Sequence, residues 1–89
     1  MLNTYYFTYG TSESYPYQGG WTEVKAPTLA AAKNIFRAVH PDRTRGILNC
    51  ADFYDEDTFK KTEMWSEGNF GERCVENICL RVEFPEGGA

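Results

Sequence analysis

The sequence predicts an α+β fold: a small, mainly antiparallel four-stranded sheet with one main helix and one short helix packed on one face. Three observations carry this. Two segments, Thr4–Tyr9 and Val75–Phe84, alternate at period two, the signature of strands with one buried face. Between them, Leu29, Ala32, Phe36 and Val39 recur at spacings of three and four, which draws one apolar stripe along a helix. The order strand, strand, helix, strand, short helix, strand has no regular βαβ alternation, so it closes most simply as a sheet with helices beside it.

In the first strand Tyr5, Phe7 and Tyr9 share one face and Thr4, Tyr6 and Thr8 the other. Gly10 to Gly20 gathers Ser, Pro, Gln and Gly around Tyr15 and Tyr17, which marks a long, aromatic-tipped loop. Trp21 to Ala26 resumes strand character and is expected to pair antiparallel with the first strand. Pro27 and Thr28 then open the main helix with Thr28 as N-cap, and the helix ends near His40, before Pro41. After the polar turn Pro41–Gly46, the apolar content of Ile47 to Tyr54 predicts a third strand. Asp55 reads as a second N-cap, with Tyr54 and Phe59 placed as a hydrophobic staple, for a helix over about 56–64. Ser66 to Gly71 is a turn region, and the last strand should place Ile78, Leu80, Val82 and Phe84 inward against Cys79, Arg81 and Glu83 outward. Residues 85–89 read as a frayed tail, and the whole chain, 1–89, as one domain.

With 89 residues, about 60 to 65% of the unfolded surface can be buried, so one core is expected. Six Tyr, six Phe and two Trp fill such a core economically. Their crowding in the first quarter, Tyr15 and Tyr17 included, also offers side chains to an interface. Nine basic against thirteen acidic residues give a net charge of −4, opposite to the footprint of a protein that grips phosphate backbones, so direct general nucleic-acid binding is not expected. No stretch has the character of a signal peptide or of a membrane span, and three cysteines fit a reducing compartment, so a cytoplasmic location is expected.

Four constellations could carry chemistry. His40 with Cys50, Cys74 and Cys79 supplies the donors of a zinc centre, but the spacing is wrong for ligands on a turn, and an offset of five puts Cys74 and Cys79 on opposite faces of a strand. Neither a metal nor a cofactor is expected. A cysteine nucleophile would need a base, and His40 is the only histidine; no nucleophile elbow or phosphate-loop motif is present, so the chain is not expected to be an enzyme. His40, Arg43 and Arg45 form the one basic cluster. With Asn49 beside it and an aromatic ring such as Trp21 to stack on a base, this cluster can hold a phosphate-containing ligand. The competing reading pairs Arg43 or Arg45 with Asp42, or sets them against the helix carbonyls. Asp52, Asp55, Glu56 and Asp57 can imitate a phosphate backbone toward a basic protein partner, or serve only as a solvated face and helix-dipole complement.

Tyr6–Gly10, Gly20–Val24, Phe36–Arg43, Leu48–Ala51, Phe59–Met64, Gly68–Gly71 and Cys74 together resemble small uncharacterised proteins of bacterial phages and conjugative elements. The resemblance covers most of the chain and brings no catalytic role with it. It implies a setting, the inhibition of host defence. The leading expectation is a binding protein that neutralises a defence protein such as a CRISPR nuclease through Tyr15, Tyr17 and the carboxylates. The alternative is a sponge for a nucleotide signal, and a zinc- or cysteine-dependent protein ranks last. A sheet of four short strands leaves an edge or an aromatic face on which a homodimer can form.

Overall fold

The computed structural model describes residues 2–79. Four strands, β1 (Asn3–Thr8), β2 (Trp21–Ala26), β3 (Asp52–Asp55) and β4 (Cys74–Cys79), and three helices, α1 (Leu29–Val39), α2 (Glu56–Phe59) and α3 (Glu63–Glu67), give the α+β fold that the patterning predicts. The strand order is β3-β1-β2-β4. β1 is antiparallel to both neighbours, with Tyr6 opposite Glu23 on one side and Tyr54 on the other. β4 runs parallel to β2, which makes the sheet mixed.

Both faces of the sheet are covered, and the helices are not gathered on one face as expected. On one face Phe7 stacks on Phe36 of α1, with ring centroids 4.5 Å apart, within a cluster that includes Tyr5, Tyr9, Val24 and Ala32. On the other, Tyr6 stacks on Phe59 of α2 at 4.4 Å, and Trp21 closes on Phe59 edge-to-face at 4.8 Å. This is why β1 is buried on both of its faces, from Thr4 to Thr8. A central strand between two layers needs large side chains in both parities, and Tyr6 meets that need where alternation alone reads it as outward.

The helix caps follow from sequence chemistry. The Thr28 hydroxyl accepts from the Ala31 N–H at 3.1 Å, and the Asp55 carboxylate accepts from the Thr58 N–H at 2.8 Å. In α1, Ala32 and Phe36 are buried, but Val39 is 45% exposed and Ile35 takes its place against the core. The expected helix over 56–64 is two short helices, because Thr62 turns extended and its hydroxyl accepts from the Trp65 N–H, starting α3 afresh.

The third strand starts at Asp52, not at Ile47. The chain first reaches β1 where the Ala51 N–H donates to the Thr8 carbonyl at 2.7 Å, so the preceding residues have no strand to pair with and Ile47 stands 61% exposed. In β4, Ile78 packs toward the α1 layer and Cys79 is exposed. The expected continuation through Leu80, Val82 and Phe84, and the tail at 85–89, lie outside the described residues. A register shift between Trp21 and Thr22 pairs Cys74 with Trp21 and Glu76 with Thr22. That bulge resets the alternation, so Cys74 and Cys79 share a face, contrary to the offset argument. They pair with Trp21 and Lys25, about 13 Å apart along an extended strand, beyond the reach of a disulfide. Gly20, at φ +65°, admits this close passage: a Cβ there would lie 2.5 Å from the Arg73 carbonyl oxygen.

Candidate functional site

The connection from α1 to β3 builds a polar cavity against the Gly10–Gly20 loop. His40 closes α1 by donating its backbone N–H to the Phe36 carbonyl at 2.7 Å. Two residues on, Asp42 folds back so that both its carboxylate oxygens accept from Arg37 Nε at 3.1 Å. Asp42 therefore pairs with Arg37, and this leaves Arg43 to point elsewhere. The Arg43 guanidinium crosses to the Gly10–Gly20 loop and donates through Nη1 to the Ser14 carbonyl. A tight turn follows, in which the Ile47 N–H donates to the Thr44 carbonyl at 2.9 Å across Gly46 at φ +83°. These links leave a cavity of about 330 Å³ lined by Ser14, Tyr15, Arg43, Thr44, Ile47, Leu48 and Asn49. Its polar groups are a guanidinium, a carboxamide, two hydroxyls and a phenol, which suits an anion with hydrogen-bonding oxygens.

Of the residues expected to bind a ligand, Arg43 and Asn49 line this cavity, and Tyr15, expected at a partner interface, joins them. Arg45 is exposed on the turn and is not among the lining residues. His40 faces away from the cavity. Its Nε2 donates to the Glu76 carboxylate at 2.7 Å, and its ring lies 6.0 Å from that of Tyr17. The same carboxylate oxygen accepts from the Thr22 hydroxyl at 3.0 Å, and the Thr22 oxygen accepts from Tyr9 at 2.5 Å. Burial raises the Tyr9 phenol, so it remains a donor. This chain of four side chains ties the end of α1 to β4 through the sheet. The sequence reading misses it because His40 and Glu76 stand 36 positions apart and Glu76 reads only as one more surface carboxylate.

Trp21 cannot stack on a ligand at Arg43. It is 2% exposed, on the opposite face of the sheet, enclosed by Phe59 and Trp65. Tyr17 does not sit at a protruding tip either; it is half-buried, with its ring 5.6 Å from that of Tyr9. Among the carboxylates, Asp55 caps α2 and Glu56 pairs with Lys60 at 2.8 Å, so both serve the helix. Asp52 bonds the Phe53 N–H at 2.8 Å, and Asp57 is exposed. Asp52 and Asp55 bracket β3, which is an edge of the sheet.

Cys50 is buried, and burial together with the Asp52 and Asp42 charges pushes its thiol up to about 12. A thiol held in that state is a poor nucleophile. Cys74 and Cys79 are exposed. No group of three or more metal-ligating side chains converges among the described residues, and no helix there is long and apolar enough to cross a membrane. Compared with protein-family models, curated proteins and solved structures, the chain matches none.

Proposed function

We propose that this protein is a non-catalytic binding protein that takes a phosphate-containing small molecule in the cavity between the Gly10–Gly20 loop and the α1–β3 connection. The observation that supports this is the convergence of Arg43, Thr44, Asn49 and Tyr15 on one 330 Å³ space. A guanidinium supplies charge-assisted hydrogen bonds, and the amide and hydroxyl groups supply direction. Sequestration of a nucleotide signal in the cytoplasm of a host cell is the biological reading that joins this chemistry to the phage-type resemblance. The test is native mass spectrometry of protein purified without added ligand, followed by calorimetric titration with nucleotides. A retained small molecule at integer stoichiometry, and a loss of roughly 10- to 100-fold in affinity on Arg43→Ala, are expected for one charged hydrogen-bonding group removed. Unchanged affinity in Arg43→Ala, or no binding of any nucleotide, overturns the reading.

A second reading, inhibition of a basic defence protein such as a CRISPR nuclease, draws on a different feature: the exposed Asp52 and Asp55 at the ends of the edge strand β3, with exposed Asp57 following in α2. Carboxylates in that position repel a second copy of the same edge and attract a basic surface. A complex with a nuclease that dissociates as salt rises, while purified protein carries no small molecule, supports this reading over the first.

A further inference from the structure

We infer that the ligand carries two separate phosphate groups, the second held near Lys33 on the far side of the Ile47–Leu48 ridge. The inference rests on the proposed anion site at Arg43 and names the class of molecule that it takes. A second cavity, also about 330 Å³, adjoins the first: both are lined by Ile47 and Leu48. Its cations are Lys33 and Arg37. Arg37 is committed to Asp42, whereas Lys33 makes no ion pair among the described residues and holds its ammonium 4.3 Å from the centre of the Phe53 ring. The Asp52 carboxylate also lines this cavity and opposes an anion there, but one of its oxygens is engaged by the Phe53 N–H.

Between the two cavities stands Ile47, 61% exposed, a branched apolar side chain left in water with a cation on either side. The turn beside it is open, since a Cβ on Gly46 would meet nothing within 4 Å. A molecule with a phosphate at each end and a sugar or base between them would cover Ile47 and place one charge on Arg43 and the other on Lys33. A monophosphate can use only one of these positions.

The test is calorimetric titration with adenosine 3′,5′-bisphosphate and adenosine 5′-monophosphate, on the unaltered protein and on Lys33→Gln and Lys33→Arg, with thermal melts to verify folding. The bisphosphate should bind about tenfold more tightly than the monophosphate, as one added charged contact gives. Lys33→Gln should abolish that difference while leaving the monophosphate unchanged, and Lys33→Arg should preserve it. Equal affinity for the two nucleotides in the unaltered protein, or an equal loss for both in Lys33→Gln, overturns the two-phosphate inference and leaves the Arg43 site standing. Absence of binding by either nucleotide overturns the Arg43 site as well, and the inference with it.

Discussion

At the scale of single residues, the cavity and the polar chain behind it divide the basic cluster into two jobs. Arg43 faces solvent and is available to a ligand through the nitrogens that Ser14 does not use. His40 is turned inward, where its side chain is 15% exposed and that of Glu76 is 20%. An acceptor placed that deep and serving two donors is costly to unbalance, because a half-buried group stripped of its partner keeps its desolvation penalty. Glu76→Ala leaves both His40 and Thr22 without their acceptor, and we expect it to lower unfolding stability by roughly 1 to 3 kcal/mol. Equilibrium urea unfolding measures this. A loss under about 0.5 kcal/mol, the size of a surface ion pair, would show that solvent already satisfies these groups. Because Glu76 does not line the Arg43 cavity, ligand affinity of the folded variant should stay unchanged.

At the scale of elements, local chemistry was legible and long-range pairing was not. Thr28 and Asp55 announce their helices because an N-cap needs only a side chain three residues ahead of an orphan N–H. The antiparallel pairing of β1 with β2 follows from the loop between two adjacent strands. The parallel entry of β4 beside β2, the bulge that moves Cys74 across the sheet, and the meeting of His40 with Glu76 depend on contacts between distant segments that no local pattern encodes. The α1–β3 side of the site was visible because Arg43 and Asn49 lie close in sequence. Trp21 was misplaced because an aromatic residue in a strand reads the same whether its face is open or covered by α2 and α3. One local signal remains in the turn before β4. Asn69 and Glu72 bond backbone to backbone, 2.8 and 3.0 Å, around Phe70 at φ +55° and Gly71 at φ +86°. Phe70 is 69% exposed, so it holds a left-handed conformation without burial to offset it. Asn-Gly is the pair that such a turn prefers, and Phe70→Asn should raise stability by about 0.5 to 1 kcal/mol. A chemical-denaturation midpoint unchanged or lowered by this substitution would mean that the Phe70 ring supports the fold in a way its exposure does not reveal.

At the scale of the whole molecule, the fold rests on two apolar layers on opposite faces of the central strands β1 and β2, and each layer contains an acid whose proton burial retains above its ordinary titration range. On the α1 side this is Cys50, whose thiol is pushed from 9.0 to about 12; on the α2–α3 side it is Tyr6, raised from 10.0 to about 12, first by burial and then by the Glu23 and Glu56 charges. For both groups the folded value lies above the unfolded one, so the unfolded chain releases its proton first as pH rises. Their contribution to stability is fully present below about pH 9 and is lost progressively between pH 9 and 12, with Cys50 leading and Tyr6 joining above 10. The net charge of −4 works in the same direction, since every further ionisation adds to an existing negative excess. We therefore expect the urea midpoint to hold steady from pH 7 to 8.5 and to fall from pH 9 upward. Cys50→Ala should start from a lower midpoint, because it empties part of the α1-side core, yet lose less between pH 9 and 10, because the residue that ionises first is gone. The same slope in both proteins over that interval would show that Cys50 does not set the alkaline transition and would assign it to the buried phenols of Tyr6 and Tyr9. Tyr6→Phe separates the two: it removes the α2–α3-side acid and should make the fall shallower only above pH 10, the remaining slope there coming from Tyr9, whose phenol burial also raises.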